Sequence, residues 1–122
     1  MILADTSVWI DHLKARSARL SAALEAGLVM MHPFVVGELA CANLRNRREL
    51  LSLWHDLPPS PMATDAEALA FIDAHKLMGS GLGYIDVHLL ASTVLADAAT
   101  IWTKDKRLAA VASKLALAYD AR

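Results

Sequence analysis

The stretch Gly83-Tyr84-Ile85-Asp86-Val87-His88-Leu89-Leu90-Ala91-Ser92 constrains this chain more than any other. From Ile85 to Leu95 the pattern predicts a helix that is apolar on nearly every face, and such a helix belongs in a protein interior. Its first turn nevertheless carries a carboxylate, Asp86. A buried charge is costly unless something compensates it. The positive end of the helix favours an anion there, and a bound cation would favour it far more. The question for the rest of the chain is whether other carboxylates meet Asp86 in space.

Ile2-Leu3-Ala4 reads as a short buried strand ending at Asp5, and Thr6 and Ser7 read as caps of the helix through Trp9, Ile10 and Leu13. Ser17 opens a second helix, which Gly27 closes. Leu28-Val29-Met30-Met31 is a second strand, and Pro33 starts a third helix that embeds Glu38 among apolar residues. Arg45-Asn46-Arg47-Arg48 breaks the apolar pattern before a helix through Leu50, Trp54 and Leu57. Pro58-Pro59-Ser60-Pro61 is a stiff connector. Thr64-Asp65-Ala66-Glu67 is a capping box that starts a fifth helix. Beyond the central helix, Ala99-Thr100-Ile101-Trp102 is a third strand, Asp105 to Ser113 is helical, and Leu117-Ala118-Tyr119 is a fourth strand. This alternation predicts an α/β fold, a short parallel sheet of about four strands flanked by helices on both faces. Ligands of such folds bind at the carboxyl ends of the strands.

The 122 residues are expected to form one domain, residues 1–122. Twelve basic and thirteen acidic residues leave a net charge of −1, so any nucleic-acid binding must be local rather than global. One cysteine, Cys41, excludes an intramolecular disulfide and suits a reducing cytoplasm. The opening Met1-Ile2-Leu3-Ala4-Asp5 has no basic run leading into a long apolar one, so no signal peptide is expected. The most hydrophobic long window, Leu82 to Trp102, contains Asp86, His88 and Asp97, which argues against a membrane span.

Four acids have suggestive positions. Asp5 ends the first strand and Asp105 follows the third, so a parallel sheet points both to one edge. Asp86 opens the helix that feeds the third strand, and Glu38 sits in an apolar helix. An all-oxygen set without cysteine or histidine spacing suits a hard cation, Mg²⁺ or Mn²⁺. Such ions polarise phosphoryl oxygens and activate water, the chemistry of phosphodiester hydrolysis.

Asp5-Thr6-Ser7, Gly37-Glu38-Leu39, Tyr84-Ile85-Asp86-Val87-His88-Leu89-Leu90-Ala91 and Trp102-Thr103-Lys104-Asp105-Lys106-Arg107-Leu108 resemble, in order, the motifs of PIN-domain ribonucleases. More narrowly, the chain resembles the VapC-type toxins of bacterial toxin–antitoxin modules, over essentially its whole length. The resemblance implies a three-layer α/β/α domain in which Asp5, Glu38, Asp86 and Asp105 hold Mg²⁺ or Mn²⁺. It implies a cytoplasmic homodimer that cuts RNA (tRNA, rRNA or mRNA) and inhibits translation until a small antitoxin neutralises it. Thr103 and Thr6 match hydroxyl residues that accompany the last and first aspartates. Where the family pattern leads us to expect Gly, Ala42 stands.

Each residue also has an ordinary structural reading. Asp5 and Asp105 precede helices and can serve simply as N-caps. Glu38 and Asp86 can pair with Arg45 or Lys104. Arg45, Arg47 and Arg48 read either as a solvated turn or as phosphate contacts near the Glu38 helix, and Lys104, Lys106 and Arg107 share that ambiguity. His88 faces away from Asp86 as a packed or surface residue, and Cys41 reads as a small buried one. The Gly79-Ser80-Gly81-Leu82-Gly83 loop lacks a phosphate-cradling pattern and reads as a flexible lead-in to the central helix. Two rival functions follow. A haloacid-dehalogenase-type phosphatase would use Asp5 as nucleophile, with a second aspartate where Ser7 stands. A non-catalytic module would use the metal only to shape an RNA- or protein-binding surface.

Overall fold

The computed structural model of the chain describes residues 1–120. Strands β1 (Ile2–Ala4), β2 (Val29–Met30) and β3 (Thr100–Trp102) form a parallel sheet in the order β2-β1-β3. Ile2 pairs with Val29 on one side and Thr100 on the other, and Ala4 with Trp102. All three residues of β1 are buried, as a central parallel strand requires. From β1 the chain crosses over to β2 on one side, then returns past β1 to β3 on the other. Crossovers in opposite directions, under the general right-handed rule for parallel strands, place helices on both faces of the sheet, the expected α/β/α layering.

The helices among the described residues are α1 (Thr6–Lys14), α2 (Ala18–Glu25), α3 (Pro33–Ala40), α4 (Arg47–Asp56), α5 (Asp65–His75), α6 (Tyr84–Leu95) and α7 (Lys106–Lys114). Local chemistry sets their ends. Ser17 caps α2, and Gly27, at a φ of +70°, turns the chain out of it. Pro33 occupies the first turn of α3. Thr64 and Glu67 close the capping box of α5.

The expected fourth strand is shorter than the sequence suggests. Leu117-Ala118-Tyr119 touches the sheet at one parallel bridge, Ile101 to Ala118. Ile101 N donates to Leu117 O, and Tyr119 N to Ile101 O. Helix α7 runs on to Lys114, and Ala116, at a φ of +58°, reorients the chain, so extended backbone begins only at Leu117. On the outer side of β2, Pro59 makes a similar single bridge to Met31, since proline has no N–H with which to extend a ladder.

Helix α6 packs on β3 and α5, and buries every residue from Val87 to Thr93. Its ends emerge: Tyr84, Ile85, Val94 and Leu95 are exposed. Within the buried run Ser92 and Thr93 have partners, and His88 pairs through Nε2 with Asp65 Oδ1 at 3.1 Å while its Nδ1 has none. Thr93 donates to Leu89 O at 2.7 Å. Ser92 Oγ lies 3.1 Å from His32 Nε2 and accepts from Ala63 N at 3.1 Å. His32 Nδ1 accepts from Phe34 N, so the neutral ring carries its proton on Nε2 and donates it to Ser92. Burial, and then His88, push the His32 pKa down to about 4. This network pins the turn after β2, the α4–α5 connector and α6 to one another. Cys41, expected to be buried, is exposed, because α3 ends at Ala40 and leaves it as the C-cap.

Candidate active site

Parallel pairing of β1 with β3 places Asp5 beside the loop that leads to Asp105. Asp5 N donates to Trp102 O at 2.9 Å. Asp5 is buried, only 5% exposed. It caps α1, with Oδ1 accepting from Val8 N at 3.2 Å, the capping reading expected of Asp5 rather than the one given to Thr6 and Ser7. Ser7 instead donates to Asp5 Oδ1 at 2.5 Å and accepts from Lys104 N at 2.9 Å. Thr103 donates to Asp5 Oδ2 at 2.5 Å and accepts from Asp105 N at 3.0 Å. Both hydroxyl protons are thus committed to Asp5, and the 3.4 Å approach of Ser7 Oγ to Thr103 Oγ1 is a contact rather than a bond. Asp105 caps α7, its Oδ1 accepting from Leu108 N at 2.9 Å. Capping and clustering are therefore compatible: in Asp5 and Asp105 one carboxylate does both.

Glu38 reaches this edge from α3. Thr6, in the first turn of α1, donates to its Oε1 at 2.6 Å. The side chain is exposed, not embedded, because α3 turns this face outward while Val35 and Leu39 go into the core. Asp86 is half-buried in the first turn of α6. Burial raises its pKa, Asp105 and then Asp5 raise it further, a hydrogen bond from the Gly83 backbone opposes them, and Glu38 adds a final upward push. Every charged group acting on Asp86 is thus one of the other three acids. The ion pairs with Arg45 or Lys104 that would give Glu38 and Asp86 a purely structural role are not formed.

The basic residues are disposed differently. Lys104 Nζ binds Asp11 Oδ2 at 2.7 Å, and this bond, with the lysine charge, lowers the Asp11 pKa. Arg47 Nη1 donates to Ala42 O at 3.2 Å. Arg45 is exposed in the turn before α4, and Arg47 and Arg48 are exposed in that helix's first turn, not in a loop. Cations at a helix N-terminus oppose its dipole, so folding alone does not favour them there.

The PIN domain family model matches residues 2–114, a span that includes all four acids. The chain belongs to the PIN domain family. The protein called Ribonuclease VapC32, from Mycobacterium tuberculosis strains CDC 1551 / Oshkosh and ATCC 25618 / H37Rv, is 42% identical to it in either strain. The similarity runs over 118 residues, 97% of this chain and 95% of the relative.

Among the described residues of this PIN domain, no three His, Cys, Asp or Glu side chains stand close enough to enclose an ion directly. The donor set nevertheless fits a divalent hard cation. It is all oxygen, its other members raise the pKa of Asp86, and hydroxyls hold Asp5 and Glu38 in place. Mg²⁺ commonly takes only one or two carboxylates and keeps several waters, which spread acids accommodate. Two residues beside the candidate site are missed by sequence reasoning. Ser7 lies inside the Asp5-Thr6-Ser7 motif but reads as a helix cap. Asp11 lies one helical turn from Ser7, the spacing that places both beside the β3–α7 loop.

Proposed function

We propose that this PIN domain is a Mg²⁺- or Mn²⁺-dependent endoribonuclease acting as the toxin of a toxin–antitoxin pair. It hydrolyses RNA phosphodiester bonds and inhibits translation until its antitoxin neutralises it. The observation that carries the reading is one hydrogen-bonded edge, in which Thr103 ties Asp5 to Asp105 and Thr6, next to Asp5, holds Glu38, with Asp86 close enough for these acids to raise its pKa. The similarity to a protein named as a ribonuclease supports it. A divalent ion, when bound, polarises a phosphoryl oxygen and acidifies water.

In this reading Asp5, Glu38, Asp86 and Asp105 hold the ion. Ser7 and Thr103 fix the rotamer of Asp5, and Thr6 fixes Glu38. Arg45, Arg47 and Arg48 supply positive charge to RNA phosphates around the acids, and Lys104 does so when its pair with Asp11 opens. The phosphatase alternative loses ground, since both Asp5 oxygens already accept bonds from the protein.

An apolar groove of about 570 Å³ between α1, α2 and α4, lined by Trp9, Leu13, Leu24, Leu53 and Trp54, supports contact with an antitoxin. Exposed Leu69, Val94 and Leu95 on α5 and α6 support a homodimer. No helix among the described residues is long and apolar enough to cross a membrane, which agrees with a cytoplasmic site of action.

The test is Asp86→Asn, which preserves size and removes charge. Cleavage of total cellular RNA in Mg²⁺ or Mn²⁺ should disappear while the circular dichroism spectrum persists. Wild-type cleavage rates in a well-folded, metal-free Asp86→Asn protein would refute the mechanism.

A further inference from the structure

We propose that Arg107 is a phosphate anchor of this site, seated over Gly81 between the two segments that deliver Asp86 and Asp105. The proposal rests on the ribonuclease reading and names a residue that binds the RNA backbone there. Arg107 lies in the first turn of α7, just beyond Asp105. Gly81 lies in the loop that leads into α6 and Asp86. A Cβ added at Gly81 would meet Arg107 Cδ at 3.1 Å, Nη1 at 3.2 Å and Nε at 3.4 Å. The arginine therefore rests against bare backbone, in space that another residue's side chain would contest. Gly81 also has a φ of +85°, a conformation that favours glycine. The loop thus forms a seat for one guanidinium.

That guanidinium is uncommitted. The ion pairs among the described residues are Lys104 with Asp11 and His88 with Asp65, and neither uses Arg107. Nor is Arg107 among the charges that shift Asp86. Arg47 and Lys104, by contrast, already bind Ala42 O and Asp11. An exposed, unpaired guanidinium suits the forked geometry of a phosphodiester's two free oxygens. It supplies the attraction that RNA needs to approach a site dominated by carboxylates.

The test uses the full chain carrying Asp86→Asn, so that binding is read without turnover, and fluorescently labelled bulk tRNA as the probe. Anisotropy titrations over a range of salt should show Arg107→Ala weakening binding roughly tenfold, the worth of one charge-assisted contact. The slope of log affinity against log salt should fall by ~0.7, one phosphate on a single strand. Arg107→Lys should recover the slope but only part of the affinity. Gly81→Ala, which displaces the guanidinium without removing it, should weaken binding less. Unchanged affinity and slope in Arg107→Ala would overturn the proposal, as would failure of the Asp86→Asn parent to bind tRNA at all. If Arg107→Ala loses affinity and slope while the wild type cuts no RNA in any divalent ion, the anchor stands and the ribonuclease reading falls.

Discussion

Thr103 donates its hydroxyl to Asp5 Oδ2 at 2.5 Å and accepts the Asp105 N–H on the same oxygen at 3.0 Å. One hydroxyl thus ties the acid that ends β1 to the acid that caps α7. Thr103→Val keeps the shape and removes both bonds. The expected result is a drop in kcat of roughly 10–100-fold, typical when the support of a metal ligand is lost. Loss of stability should be on the order of 1–3 kcal/mol, from leaving polar groups unpaired. Thr103→Ser should restore most of kcat. Single-turnover cleavage and urea melts read the two effects separately, and a wild-type kcat in Thr103→Val would show that the hydroxyl has no positioning role.

Asp86 supplies a prediction with opposite signs in two conditions. Its folded-state pKa is raised, by burial first and then by Asp105 and Asp5. A raised acid pKa contributes stability that is present below the unfolded value of 3.8 and lost as pH rises through the folded value. At neutral pH the metal-free protein therefore bears an unrelieved charge, and Asp86→Asn should raise its Tm. Adding Mg²⁺ or Mn²⁺ should stabilise the wild type, by about 2.7 kcal/mol at 100 times the dissociation constant. The gain should shrink in Asp86→Asn. Differential scanning calorimetry with and without chelator checks both signs, and a wild-type Tm indifferent to metal would count against the site.

What the sequence discloses here follows from periodicity and caps. Asp5 and Asp105 are legible because alternating elements place both after parallel strands, and Asp86 because a charge stands out in an apolar helix. The Thr64–Glu67 capping box is local chemistry and survives intact. Choices made between side chains across the surface are not encoded that way. Nothing in the spacing of α3 shows that Glu38 turns outward to Thr6, or that Lys104 closes on Asp11. The single-bridge contact of Ala118 depends on where α7 stops, and sequence places helix ends only to within a few residues.

His32 should make the fold acid-sensitive. Burial first, then His88, hold its pKa at about 4, against 6.5 in an open chain. Between those values the unfolded chain binds a proton that the folded chain does not. Stability should therefore fall as pH drops from about 6.5 toward about 4. His32→Asn can keep an acceptor for Phe34 N but loses the bond to Ser92. It should be less stable at neutral pH and show a flatter acid limb in melts at successive pH values. An acid limb of wild-type steepness in His32→Asn would assign the effect to other groups.

Lys104 and Asp11 form a surface pair at 2.7 Å in which each side chain is 50% exposed. Such a pair is worth at most about 1 kcal/mol, so its loss should barely move the Tm. Its consequence for RNA should be larger. The Lys104 backbone N–H is held by Ser7 Oγ, which also bonds Asp5, so the residue keeps its place in the loop whether or not Asp11 holds the ammonium. Asp11→Asn removes the competing carboxylate and frees that charge for phosphate. The expected result is tighter tRNA binding, with a salt slope steeper by up to ~0.7. Lys104→Ala in the wild-type background should change binding little, because its charge is already compensated. In Asp11→Asn, the same substitution should cancel the gain. The double-mutant cycle thus isolates the pair from general charge effects, since removing any negative charge from a site near RNA helps binding somewhat. If Asp11→Asn tightens binding equally with Ala at position 104, the gain is general electrostatics and Lys104 does not contact the RNA.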